Sequence, residues 1–164
     1  LFIGVGAAVQ PITSYYYGAR FYQQMQQIIR LGLGTGLGMG MVIFIFGLVG
    51  KGLIIGMFGI DAPEIIAYTK IGIVYFFIGY IFLGINTVLV QFYQSIRRIR
   101  IATLITLCRS VILFIPLLWL IPKIFGVNSI WLAFPFAEGL TILLVYLALK
   151  FEWIELVPKE LKGN

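Results

Sequence analysis

The sequence has no histidine and a single cysteine, Cys108. Without histidine, the chain lacks the commonest metal ligand and the side chain that most readily changes charge near neutral pH. One cysteine cannot form an intramolecular disulfide. No Ser–Lys arrangement, aspartate pair or metal-ligand spacing is present either. The sequence therefore predicts a protein that is not an enzyme and that carries no metal or organic cofactor.

Charged residues are also scarce. Only 11% of the 164 residues are charged and 61% are hydrophobic, which gives a mean hydropathy of +1.04. Soluble domains are about 45–50% apolar. A soluble protein of this length could not bury so much apolar surface, so we expect an all-α integral membrane protein in contact with the lipid bilayer.

Apolar runs of suitable length recur along the whole chain. A membrane helix needs roughly 20 mostly apolar residues. We predict a transmembrane bundle over residues 1–150 and a cytoplasmic tail over residues 151–164. The five spans are expected at residues 1–17, 31–55, 65–93, 101–121 and 130–149.

Three local signals refine these spans. Asp61 is expected to cap the helix that begins the third span, and Pro116 to kink the fourth. Residues 20–30 place their apolar side chains on one helical face, opposite four glutamines. This segment fits either an interfacial helix or the polar start of the second span.

Lysine and arginine are distributed unevenly between the two sides of the predicted bundle. Eight lie in the first loop, the third loop and the tail, and three, Lys51, Lys70 and Lys123, lie on the opposite side. Because cytoplasmic loops carry an excess of basic residues, we expect a multi-pass protein of a bacterial or archaeal plasma membrane with a cytoplasmic C-terminus. The basic residues are scattered between apolar spans, so no nucleic-acid partner is expected.

Glycines are concentrated at the start of the second span. Gly32, Gly36 and Gly40 recur every four residues and would share one helical face. Small residues at this spacing let membrane helices approach closely, so we predict a packing role. The spacing does not match a nucleotide-binding loop.

A few polar side chains fall inside the spans. Gln10 precedes Pro11, and the proline is expected to interrupt the first span, as in the broken helices that line transporter cavities. Asn86 and Gln91 lie in the third span. Gln10, Asn86 and Gln91 are candidates for a substrate or cation pathway. For Gln10 and Asn86, hydrogen bonding between helices is an equally good alternative.

Two ionisable residues occupy the fourth and fifth spans. At 1.5 Å per residue, Arg109 and Glu138 would lie roughly 12 and 18 Å from the cytoplasmic ends of their spans. An arginine side chain can bridge that difference in depth. We predict a structural intramembrane ion pair, with Glu138 as a proton or cation carrier the alternative.

Two stretches of sequence resemble the MATE (multidrug and toxic compound extrusion) transporters. Residues 10–19 read Gln-Pro-Ile-x-Ser-Tyr-x-Tyr-Gly-Ala, and residues 126–138 read Gly-x-Asn-x-Ile-Trp-x-Ala-Phe-Pro-x-Ala-Glu. Together with a basic hairpin and Arg109, the resemblance covers nearly the whole chain. It implies most of one six-helix lobe, the C-terminal one, of a transporter of the MOP superfamily. It also implies that the N-terminal lobe of the same polypeptide is missing here.

The resemblance implies export of hydrophobic cationic drugs in exchange for Na⁺ or H⁺ by alternating access. Several branches of the family carry a carboxylate deep in the third of these spans for cation coupling. This span has Asn86 in that region, and we expect no carboxylate near it. A flippase for lipid-linked oligosaccharides or polysaccharides, from the related exporter family, and a non-transporting membrane scaffold are the alternatives.

Single-cysteine labelling in whole cells tests the predicted orientation. In a Cys108→Ala background, Arg98→Cys is expected to be protected from an impermeant thiol reagent and Ile60→Cys to be labelled. The reason is that the basic loop should stay in the cytoplasm. The opposite labelling pattern would reverse the predicted orientation.

Overall fold

The computed structural model describes residues 1–59, 62–151, 153 and 154, and all regular structure in them is helical. The helices are α1 (Phe2–Gly18), α2 (Tyr22–Met57), α3 (Pro63–Ser95), α4 (Ile99–Leu107), α5 (Phe114–Phe125) and α6 (Ala133–Lys150). A π-helical turn (Cys108–Ile112) joins α4 to α5, and a 3-10 helix (Val127–Leu132) joins α5 to α6. The predicted cap Asp61 and most of the predicted tail lie outside the described residues.

Four helical elements of the described chain are long and apolar enough to cross a membrane. They are Tyr22–Met57, Pro63–Ser95, Ile99–Phe125 and Val127–Lys150. Helix α1 is apolar too but has 17 residues. The prediction of an all-α membrane protein is confirmed.

Helix α2 begins at Tyr22 and continues without a break to Met57. The glutamine-rich segment over residues 20–30 is therefore mostly the first turns of α2, and the alternative of a separate interfacial helix is wrong. Met25 and Ile29 are 0% and 2% exposed and pack into the same core as Phe92 of α3. This packing holds the polar start of α2 in line with its apolar part.

Helix α1 is continuous through Pro11, so the predicted interruption of the first span is wrong. A proline removes one backbone hydrogen bond, but its fixed φ is helical. The buried residues Gly6, Val9 and Thr13 form the face of α1 that packs on the bundle. Pro11 is exposed, so its ring leaves that packed face undisturbed.

The predicted irregularity at Pro116 lies about one turn earlier in the chain. The Leu113 N–H donates a hydrogen bond of 2.9 Å to the carbonyl oxygen of Cys108, five residues back. Pro116 has no N–H to donate to the carbonyl four residues before it, at Ile112. The π-helical turn therefore occupies the segment in which the regular α-helical ladder would be broken.

The glycine face of α2 packs directly against the backbone of α3. A Cβ added to Gly36 would lie 2.8 Å from the carbonyl oxygen of Gly84, and a Cβ on Gly40 would overlap the backbone of Tyr80. A Cβ on Gly32 would meet Val9 of α1 at 2.8 Å. Since none of these positions has room for a methyl group, the glycines set the spacing between the helices.

Replacing one of these glycines tests the contact. Gly36→Ala should lower the melting temperature of the purified protein, because overpacking against rigid backbone costs about 1–3 kcal/mol. Gly34→Ala is the matched control, since a Cβ there meets nothing within 4 Å. A loss of stability as large for Gly34→Ala as for Gly36→Ala would contradict the packing role.

A buried polar cluster between three helical segments

The carboxylate of Glu138 lies inside the bundle and is contacted from two other segments. Glu138 belongs to α6 and is 3% exposed. Arg109 Nη1, from the π-helical turn, lies 3.4 Å from Oε1 and 3.4 Å from Oε2. Asn86 Nδ2, from α3, donates to Oε2 at 2.6 Å. We call Asn86, Arg109 and Glu138 the polar cluster.

Asn86 is bound to the backbone of α6 as well as to the Glu138 side chain. Its Nδ2 donates a second hydrogen bond of 2.9 Å to the Glu138 carbonyl oxygen. The side chain is 0% exposed. Both amide protons of Asn86 are thus donated to acceptors on α6. Asn86 therefore fixes the position of α3 relative to α6 along the helix axes.

The π-helical turn supplies the cation of the cluster. Arg109 is its second residue, and the turn packs against α6. The side chains of Arg109 and Glu138 are 21% and 4% exposed. A buried charge is stable in an apolar bundle only when it is paired and hydrogen-bonded. Arg109 neutralises Glu138, and Asn86 supplies a further donor.

Two atoms of the cluster have hydrogen-bonding capacity left over. Asn86 Oδ1 and Arg109 Nε are buried, and neither has a hydrogen-bond partner within the part of the chain that the structure describes. Leaving such groups unpaired costs free energy. The cluster could therefore accept one hydrogen bond or cation at Asn86 Oδ1 and donate one hydrogen bond from Arg109.

Glu138 corrects the expectation that no carboxylate lies near Asn86. The carboxylate comes from α6, not from the helix that carries Asn86. Counting residues from the helix ends at Ser95, Ile99 and Lys150 places all three members of the cluster at comparable depth. Similar depth is a sequence signal for this contact, but α3 and α6 are not adjacent in sequence, so depth alone does not select Asn86 as a partner of Glu138.

Gln10 and Gln91 lie apart from the polar cluster. The Gln91 side chain packs over Gly6 of α1, where an added Cβ would lie 2.5 Å from Gln91 Cγ. Gln10 is partly exposed on α1. Within the described residues, no side-chain hydrogen bond joins either glutamine to Asn86, which is buried against α6.

An aromatic cluster lies between α3 and the segment that leads into α6. The rings of Phe76 and Phe134 stack with centroids 4.7 Å apart. Tyr80 meets Phe134 edge to face at 5.9 Å, and Trp131 meets Phe76 at 6.4 Å. All four side chains are partly or largely exposed. Sequence periodicity gave no indication of this grouping, because its members come from distant segments.

Comparison with known proteins identifies one family. The family model described as MatE matches residues 1–120, which include Asn86 and Arg109 but not Glu138. No curated protein and no solved structure matches the chain.

A double-mutant cycle tests the pairing of Arg109 with Glu138. Arg109→Leu and Glu138→Leu should each lower the yield of folded protein, because breaking a buried pair leaves an uncompensated charge, at a cost of about 3–5 kcal/mol. The double variant should recover part of the yield. Arg100→Leu, at an exposed position of α4, is the control and should change little. If the losses of the two single variants simply add in the double variant, the two residues are not coupled.

Proposed function

The chain belongs to the MatE family, and from this premise we propose that it forms the C-terminal lobe of a transporter that exports hydrophobic cations in exchange for Na⁺ or H⁺. The observation that carries the proposal is the family match over residues 1–120. The family's members are transporters, and the chain is a multi-pass membrane protein. Cation coupling, the drug substrates and the position of this lobe are parts of the proposal.

The polar cluster supports a transport role over a passive scaffold. Ionisable side chains inside a bilayer are costly, and they commonly mark ion or substrate pathways. A scaffold would need neither Glu138 nor Arg109 at mid-span. We propose that the cluster keeps α3, α6 and the π-helical turn together as one body while the lobe moves during alternating access.

The chemistry of the described spans supports a cationic, apolar substrate. Aromatic faces attract cations, and the cluster around Phe76 and Phe134 offers several. Gln10, Asn86 and Gln91 are neutral, and we propose that the pathway runs near them. Within the described spans, Arg109 is the only basic residue at mid-span, and it is paired with Glu138. A flippase for pyrophosphate-linked sugars would call for unpaired arginines in the cavity.

The proposal includes a location and an orientation. We place the protein in the plasma membrane, with the two basic turns around Arg20 and Arg97 and the C-terminus in the cytoplasm. Scarcity of basic residues at the other end of the bundle supports this orientation. A second lobe of the same polypeptide would form the other wall of the substrate cavity.

An accumulation assay tests the exporter activity. The full-length protein, expressed in cells without their own efflux pumps, should lower ethidium accumulation, and the effect should need a Na⁺ or proton gradient. Unchanged accumulation under both gradients, with the protein present in the membrane, would contradict drug export and favour the flippase.

Two asparagine variants probe the pathway in the same assay. Asn86→Ala should reduce export more than Asn128→Ala, because Asn86 is buried at mid-span whereas Asn128 is exposed in the 3-10 helix. Export is normalised to the amount of folded protein. A loss that disappears on normalisation would assign Asn86 to packing. Equal normalised losses for both variants would place the pathway elsewhere.

A further inference from the structure

The turn between α1 and α2 closes in a Schellman motif with an arginine at its key position. The Phe21 N–H donates to the Tyr16 carbonyl oxygen at 2.9 Å, and the Arg20 N–H donates to the Tyr17 carbonyl oxygen at 3.2 Å. This pair of hydrogen bonds defines the motif, and it requires a left-handed residue just past the helix end. Arg20 is that residue, with φ of 61°.

The turn between α3 and α4 repeats the same motif at the same end of the bundle. The Arg98 N–H donates to the Tyr93 carbonyl oxygen at 2.8 Å, and the Arg97 N–H donates to the Gln94 carbonyl oxygen at 3.1 Å. Arg97 has φ of 60°. Within the described chain, Arg20 and Arg97 are the only residues other than glycine with positive φ.

Glycine is the usual residue at this position because it adopts positive φ without strain. An arginine there carries a conformational cost, and strained residues of this kind cluster at sites that hold ligands. A basic residue at a helix C-terminus also complements the helix dipole. That effect does not require the left-handed position, since a basic residue one turn earlier would serve equally well.

Both arginines line the same cavity, which has a volume of about 540 Å³. Ser14 and Ser95 form part of its wall, and the Ser14 hydroxyl donates to the Ser95 carbonyl oxygen at 3.2 Å. Tyr22 also lines the cavity, and its hydroxyl oxygen is buried without a hydrogen-bond partner in the described structure. None of the described lining residues is acidic. Within the described residues, no carboxylate pairs with either guanidinium group, so the cavity presents two positive charges beside the Tyr22 hydroxyl.

We propose that this cavity binds a phosphate group, held between Arg20 and Arg97. Guanidinium groups bind phosphate oxygens with two parallel hydrogen bonds, and these charge-assisted bonds are strong. The cavity lies where four helices end, which is the level of lipid headgroups if the bundle spans the bilayer. An anionic phospholipid or free phosphate would supply the same chemistry. The site is separate from the polar cluster and does not depend on the proposed transport activity.

A glycine substitution removes the guanidinium groups and preserves the fold. Glycine suits the measured φ at both positions, so Arg20→Gly/Arg97→Gly retains the Schellman turns. The matched control is Arg30→Gln/Arg100→Gln. It also removes two positive charges, from exposed positions in α2 and α4 that do not line the cavity.

Lipid binding to the full-length protein in detergent is measured by native mass spectrometry with phosphatidylglycerol or phosphatidylcholine. Wild type should bind phosphatidylglycerol more tightly, and the glycine pair should weaken that binding at least about tenfold, because two charge-assisted contacts are lost. The control pair should retain most of the binding. The proposal is overturned if Arg20→Gly/Arg97→Gly binds phosphatidylglycerol as tightly as wild type does, or loses no more binding than the control variant.

A competition experiment separates the two sources of phosphate. Inorganic phosphate is added to the complex with phosphatidylglycerol, and separately to the lipid-free protein in a thermal-shift assay. Phosphatidylglycerol that resists displacement identifies a lipid-headgroup site. Displacement, with a phosphate-dependent stabilisation that the glycine pair lacks, identifies a site for free phosphate. Either result supports a phosphate-binding site in this cavity, provided that the binding depends on Arg20 and Arg97.

Discussion

Helices surrounded by lipid gain little by burying apolar surface against one another, so this bundle depends on close backbone contact between α2 and α3. Gly36 and Gly84 face each other there, and neither position has room for a Cβ. The contact is the most extensive between any two described elements. Helix α3 also packs against α1, α4 and α6, so its placement against α2 determines where the rest of the bundle can lie.

On another side of α3, the polar cluster stabilises the bundle through specific hydrogen bonds instead of close backbone packing. Glycines allow approach but specify no partner, whereas Asn86 bonds both to the side chain and to the backbone of Glu138. A small vertical slip between α3 and α6 would break both bonds and leave a buried carboxylate with fewer donors. The glycine contact therefore supplies proximity, and the polar cluster supplies register. The π-helical turn contributes the balancing charge from a third direction.

Local signals in the sequence predicted the helical class, the approximate positions of the long helices and the stripe of Gly32, Gly36 and Gly40. These features depend on hydropathy and periodicity, which are properties of single segments.

The predictions were wrong where contacts between distant segments decide the structure. Residues 20–30 could not be assigned without knowing that Met25 packs near Phe92. Pro11 was expected to break α1, but its exposed position, which only the packing reveals, makes it harmless. Glu138 could be paired with Arg109 from their depths in adjacent spans, whereas its contact with Asn86 joins segments that are not adjacent in sequence.

The arginine of the polar cluster and the two arginines of the cavity differ in how strongly dissolved salt screens their charges. Arg109 is largely buried and paired with Glu138, so dissolved salt screens that interaction little. Arg20 and Arg97 are exposed at the end of the bundle, where salt screens their charge and anions compete for it. A count of basic residues in the sequence treats all three arginines alike, because it contains no information about where each side chain lies in the structure. The backbone distinguishes them. A π-helical turn directs one arginine to an internal carboxylate, and two left-handed turns hold the other two around a cavity whose described lining contains no carboxylate. In this bundle, local backbone geometry therefore decides which of these three arginines is internal and which two lie at the surface.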